Sequence, residues 1–127
     1  NAYSEVGHNT QASVFAGTDL AQWLKEHKID TLTIAGYMTH NCDAATIYHA
    51  AHNGLKVEFL ADATGALPYE NAAGKASAEE IHRVYSTVFH SSFGAVADTA
   101  AWVKAVQEGQ AIDLDNIYAS NQRARAA

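Results

Sequence analysis

Apolar residues at helical spacing alternate along the chain with short β-rich runs. Leu20, Trp23 and Leu24 mark one face of a first helix, and Thr18 is its expected N-cap. The run TLTIA that begins at Thr31 predicts a buried strand. The elements predicted after it are a helix over 43–53, a strand over 55–61, a helix opened by a Ser77/Glu80 capping box, a strand over 93–97 and a helix capped by Asp98 or Thr99.

The pattern also predicts which faces are buried and where the chain is irregular. A short strand is expected near 12–15, a loop over 62–74, and a frayed tail that contains Arg123 and Arg125. The apolar stripe of the third helix is expected at Ile81, Val84, Tyr85 and Val88, and that of the last helix at Trp102, Val103 and Val106.

Strands that alternate with helices of this length predict right-handed βαβ crossovers and a parallel sheet covered on both faces. The fold class is therefore α/β, with three layers in the order α/β/α, and residues 1–127 are expected to form a single domain. Ligands of such sheets bind outside the carboxyl ends of the strands, which directs attention to the loop 36–42.

Composition narrows the possible partners. The 127 residues are 48% apolar and carry a formal net charge of −6 without a basic run, so no nucleic-acid partner is expected. No apolar run approaches the roughly 20 residues of a membrane helix, so no membrane association is expected. The single cysteine and the lack of a recognisable signal peptide indicate a cytoplasmic protein.

Cys42 lies where the first strand turns into a helix. Unpaired N–H groups at a helix start favour the ionised thiolate and can also hold an oxyanion on a substrate carbonyl. The alternative is that Cys42 is a small buried apolar residue, as lone cysteines often are. His40 is a candidate base, whereas His49 and His52 are better explained by helix packing than by a metal site.

Three motifs resemble those of the isochorismatase-like cysteine hydrolases, which include nicotinamidases and N-carbamoylsarcosine amidases. They are Phe15-x-Gly17-Thr18-x-Leu20, Gly36-x-x-Thr39-x-x-Cys42 and Asp62-Ala63, within a resemblance that extends from Ala12 to about Val106. The resemblance implies a Rossmann-like parallel sheet, a homo-oligomer, a small-molecule substrate and no metal or other cofactor.

The resemblance also implies roles for individual residues. Cys42 takes the place of the nucleophile that forms a thioester, and the backbone N–H groups of Met38 and Cys42 take the oxyanion-hole places. The bond between Tyr37 and Met38 is expected to be cis. Substrate contacts are expected from the following residues: Tyr37, Thr39, His40, Asn41 and Phe15.

Two family residues are not found at the expected places. Asn9 occupies the position of the catalytic lysine, and the strand that carries the catalytic aspartate would precede Phe15 by more residues than the sequence contains. The chain is therefore expected to lack an N-terminal part of the domain. Three functions follow as hypotheses. The first is a cysteine hydrolase of a small amide or related C–N bond, the second is an inactive relative that binds a small ligand or serves as an assembly subunit, and the third is a hydrolase of a vinyl ether or ester.

Overall fold

Helices and strands alternate in the computed structural model, which describes residues 11–126. The chain forms them in the following order: α1 (Leu20–Glu26), β1 (Thr31–Tyr37), a five-residue π-helical turn (Thr39–Asp43), α2 (Ala44–His52), β2 (Lys56–Gly65), β3 (Tyr69–Asn71), β4 (Gly74–Ala76), α3 (Ala78–Ser92), β5 (Ala95–Ala97), α4 (Thr99–Gln107) and α5 (Ile117–Ala126). The turn is called the Cys42 turn below.

The main sheet is parallel and has the strand order β1-β2-β5. Ile34 of β1 pairs with Phe59 of β2, and Phe59 pairs in turn with Val96 of β5. A helix connects each pair of neighbouring strands, as parallel connections require. The predicted α/β class and the parallel sheet are confirmed.

The central strand β2 sends successive side chains to opposite faces of the sheet. Val57 and Phe59 are buried in one core with Ile47 of α2 and Phe89 of α3. Glu58 faces the other way, where its Oε1 accepts a hydrogen bond of 3.0 Å from the Trp102 indole of α4. Helices therefore cover both faces of the sheet, which confirms the three layers.

Several predicted elements differ from the structure. Residues 12–15 form bends and turns instead of a strand, and Asp19 instead of Thr18 precedes the first residue of α1. The predicted loop 62–74 contains the end of β2 and most of the β3–β4 hairpin. The tail expected to fray is α5, where Arg123 forms an ion pair with Asp115.

The predicted buried faces of α3 and α4 were right only in part: Ile81, Tyr85 and Trp102 are half-buried, whereas the predicted valines are exposed. Val84 and Val88 of α3 are 50% and 41% exposed, whereas Phe89 is fully buried. Val103 and Val106 of α4 are likewise exposed. In α3 the buried face is rotated by one residue from the predicted one, toward the C-terminus. Phe89 is buried instead of Val88, because its ring packs edge-on against Phe59 with the ring centroids 5.1 Å apart.

Candidate active site

Cys42 lies in the turn that joins the carboxyl end of β1 to α2. The N–H groups of Asn41 and Asp43 both donate to the Met38 carbonyl, at 3.2 and 3.1 Å, and this closes the turn. Cys42 is half-buried, and its Sγ lies 3.8 Å from Oδ1 of the exposed Asn41. The cysteine is thus at the predicted edge of the sheet and is not enclosed in the aliphatic core.

The chain reaches the Cys42 turn through an irregular end of β1. The pairing with β2 shifts between Ile34 and Gly36, so that Gly36 pairs with Thr64 and Tyr37 with Gly65. Gly36 has a φ of 120°, a conformation that L side chains rarely adopt, which explains the glycine of the motif. The bond between Tyr37 and Met38 is cis, as expected. Tyr37 itself is 61% exposed.

Thr39 connects the Cys42 turn to β2 and α3. It has no exposed surface, and its Oγ1 lies 2.9 Å from the Gly65 carbonyl oxygen, 2.7 Å from His82 Nδ1 and 3.2 Å from Thr64 Oγ1. Its hydroxyl is therefore engaged by β2 and α3. Direct contact of Thr39 with a substrate stays a prediction, and the structure gives its side chain a supporting position.

His40 connects the turn to the β3–β4 hairpin. Its Nε2 lies 2.7 Å from the Tyr69 hydroxyl, and the two rings meet edge-on with centroids 5.1 Å apart. The Tyr85 ring of α3 lies 6.3 Å from the His40 ring. Because Nε2 is engaged and Nδ1 is buried, His40 is placed as a link between two segments and not as an open base.

Asp43 is a buried carboxylate directly after Cys42. It is 5% exposed, and Oδ2 has no hydrogen-bond partner among the described residues. Burial raises the pKa of Asp43 to about 6. The sequence pattern predicts Asp43 only as the start of a helix. Its position beside the motif cysteine was the available signal, but its burial depends on the sheet beneath it.

The remaining motif and site residues lie in the core, in β2 or outside the described part of the chain. Phe15 is 5% exposed in the core, with its ring centroid 5.0 Å from that of His49, so its role in substrate binding stays a prediction. Asn9 lies outside the described residues. Asp62 of the third motif accepts hydrogen bonds from the N–H and hydroxyl of Thr99, which joins the end of β2 to α4.

Within residues 11–126, no group of three His, Cys, Asp or Glu side chains is placed to hold a metal ion. No helix in the same range is long and apolar enough to cross a membrane.

The family model of the isochorismatase domain matches residues 4–101. Among solved structures, the protein Bxe_A0706 from Burkholderia xenovorans LB400 has 64% sequence identity to this chain and a TM-score of 0.91. The match covers 93% of this chain and 57% of that protein's chain. A cysteine hydrolase from Pseudomonas syringae pv. phaseolicola 1448A is 31% identical with a TM-score of 0.75, over 79% of this chain and 47% of that one.

The nicotinamidase PncA from Bacillus subtilis is 30% identical with a TM-score of 0.58, over 71% of this chain and 45% of that one. The chain belongs to the isochorismatase family and has the fold of its hydrolases. It spans about half the length of the curated relatives that it matches.

Proposed function

We propose that this chain provides the nucleophile of a cysteine hydrolase that acts on a small amide or related C–N bond. One observation carries the proposal: Cys42 is half-buried on a closed turn at the carboxyl end of a parallel strand. Nucleophiles in α/β folds are typically presented at this edge, where loops shape a ligand site and the following helix favours an anion.

In the proposed reaction the Cys42 thiolate attacks the carbonyl carbon, and a C–S bond forms as the C=O π electrons move to oxygen. The N–H groups of Met38 and Cys42 hold that oxyanion. The C–N bond then breaks, the amine leaves with a proton, and a thioester remains on Cys42. Water adds to the thioester and gives one proton to the base, the C–S bond breaks, and the carboxylic acid leaves as the Cys42 thiolate is regenerated.

Tyr37, His40 and Asn41 lie close to Cys42 in the sequence, on the end of β1 and on the Cys42 turn, and are the proposed substrate contacts. Tyr37 and Asn41 are exposed, and the Tyr69 hydroxyl extends this surface from the hairpin through its bond to His40. Thr39 and Phe15 are buried, and both remain proposed substrate contacts. Thr39 also holds the turn through its contacts with Gly65 and His82. The family resemblance implies an aspartate as the base that accepts the thiol proton, and residues 1–14 contain no aspartate.

Two relatives support the amide chemistry. One is a cysteine hydrolase and the other a nicotinamidase, and nicotinamidases cleave an amide C–N bond. We also propose that the protein is cytoplasmic and forms a homo-oligomer. The exposed Ile117 and Tyr118 of α5, at 65% and 74%, are apolar surface that a second subunit would cover.

A second candidate is an inactive family member that binds a small ligand or serves as an assembly subunit. Asn9 favours it, because an asparagine at the position of the family's lysine cannot supply the cation that stabilises a thiolate.

An amide panel on the full-length protein separates the two candidates. Nicotinamide, N-carbamoyl amino acids and simple aliphatic amides are incubated with the protein, and ammonia release and the mass of the intact protein are followed. We expect turnover that Cys42→Ala abolishes and Thr87→Ala, on the exposed surface of α3, leaves unchanged. Turnover that persists in Cys42→Ala, or none with any amide, would contradict the proposed hydrolase.

A further inference from the structure

His82 of α3 contacts the Cys42 turn although it is 40 positions away in the sequence. Its Nδ1 lies 2.7 Å from Thr39 Oγ1, a short contact between a half-buried ring and a fully buried hydroxyl. The same hydroxyl lies 2.9 Å from the carbonyl oxygen of Gly65, at the end of β2. Three elements therefore meet at one oxygen atom.

The direction of these hydrogen bonds follows from the number of protons available. A threonine hydroxyl has one proton to donate, and a carbonyl oxygen can only accept. The Gly65 carbonyl at 2.9 Å can be bonded only if Thr39 donates to it, whereas the Thr64 hydroxyl at 3.2 Å can itself act as the donor. The contact of 2.7 Å with His82 then requires that Nδ1 carry a proton and donate to Thr39 Oγ1.

The structure assigns to His82 the role of a positioning residue: its Nδ1–H holds Thr39, and through Thr39 the Cys42 turn, against the end of β2. Tyr37 pairs with Gly65, so the bond from Thr39 back to Gly65 fixes the chain on both sides of Met38. The consequence for catalysis rests on the proposed function, whereas the hydrogen-bond direction does not.

His90 of the same helix provides an internal control. Its Nδ1 accepts a hydrogen bond of 3.0 Å from the Val96 backbone N–H, so this nitrogen has no proton. The two histidines of α3 are thus expected in opposite tautomers. Long-range ¹H–¹⁵N spectra of the full-length protein distinguish a protonated, pyrrole-type nitrogen from an unprotonated, pyridine-type one, and His82→Asn and His90→Asn assign the signals by their loss.

We expect a pyrrole-type Nδ1 for His82 and a pyridine-type Nδ1 for His90. A pyridine-type Nδ1 at His82 would overturn the inference, whatever the activity of the protein.

Variants test the effect on the nucleophile, with the rate of Cys42 alkylation by iodoacetamide as the readout. His82→Leu removes the donor, whereas His82→Asn places an amide N–H near the position of Nδ1. We expect His82→Leu to slow alkylation by about tenfold, the effect of one lost hydrogen bond, and His82→Asn to restore most of the rate. His90→Leu is the matched control and is expected to leave the rate unchanged.

Thr39→Val and Thr39→Ser form a second pair of variants, because serine retains the hydroxyl. We expect the Thr39→Val/His82→Leu double variant to react no more slowly than Thr39→Val alone, because both changes break one connection. Urea unfolding identifies variants that fail to fold. A folded His82→Leu variant with an unchanged rate would refute the inference while Cys42 remains reactive, whereas an unreactive Cys42 in the parent protein would refute the proposed function.

Discussion

Replacement of Asp43 by asparagine removes a buried charge beside the candidate nucleophile. Burial raises the pKa of Asp43 from its ordinary 3.8 to about 6, a shift of about 2 units. At 1.36 kcal/mol per unit, the carboxylate destabilises the folded protein by about 3 kcal/mol once it is fully ionised. The side chain is 5% exposed, so screening by solvent reduces this value little.

The sign of the pH dependence follows from the raised pKa. Below about pH 4 the carboxyl group is protonated in both the folded and the unfolded protein, and Asp43→Asn is expected to be close to neutral. Between about pH 4 and pH 6 the folded state retains a proton that the unfolded state has lost, so stability falls as the pH rises. Above about pH 6 the variant is expected to be more stable, by up to about 3 kcal/mol.

Urea unfolding of the full-length protein and of the variant, at intervals from about pH 2.5 to pH 8, measures this difference. Asp62→Ala is the control of opposite sign. The hydrogen bonds from Thr99 lower the pKa of Asp62, so its stabilising contribution is present near neutral pH and is lost as the pH falls through that lowered pKa. An Asp43→Asn variant less stable than the parent at pH 8 would refute the reasoning, because it would show that a cation pairs with the carboxylate.

Three further predictions concern stability and are measured by the free energy of unfolding in urea. Gly94→Ala is expected to cost about 1–3 kcal/mol, because its Cβ would lie 2.8 Å from a Val57 methyl group in a buried site; a neutral result would show that Val57 can move. Phe89→Ala, at a fully buried ring, is expected to cost about 3–5 kcal/mol, and a loss below 1 kcal/mol would contradict its place in the core. Ser77→Ala removes the capping box with Glu80 and is expected to cost about 1 kcal/mol, and an unchanged stability would contradict the role of the cap.

The strands β1 and β2 and the Cys42 turn could be predicted because local sequence determines them. The runs that became β1 and β2 are apolar and β-branched, and Gly36 adopts a φ that favours glycine. The Ser77 capping box forms with the predicted partners for the same reason. These features need few contacts from distant parts of the chain.

Features that depend on tertiary packing could not be predicted in this way. The buried face of α3 is centred on Phe89 instead of Val88, because that helix packs against the ring of Phe59. His82 and Ser86 lie on the same face of α3 as Phe89, at helical spacing. These two polar residues beside a buried phenylalanine were the only sign in the sequence that His82 contacts Thr39. The burial of Asp43 likewise depends on the sheet beneath the turn.

The central claim is that Cys42 is an activated nucleophile, and the rate of its alkylation tests this most directly. The full-length protein and glutathione are treated with iodoacetamide at pH 7, and modification at Cys42 is followed by mass spectrometry. The account predicts that Cys42 reacts about tenfold or more faster than glutathione. A rate equal to or below that of glutathione would contradict the account.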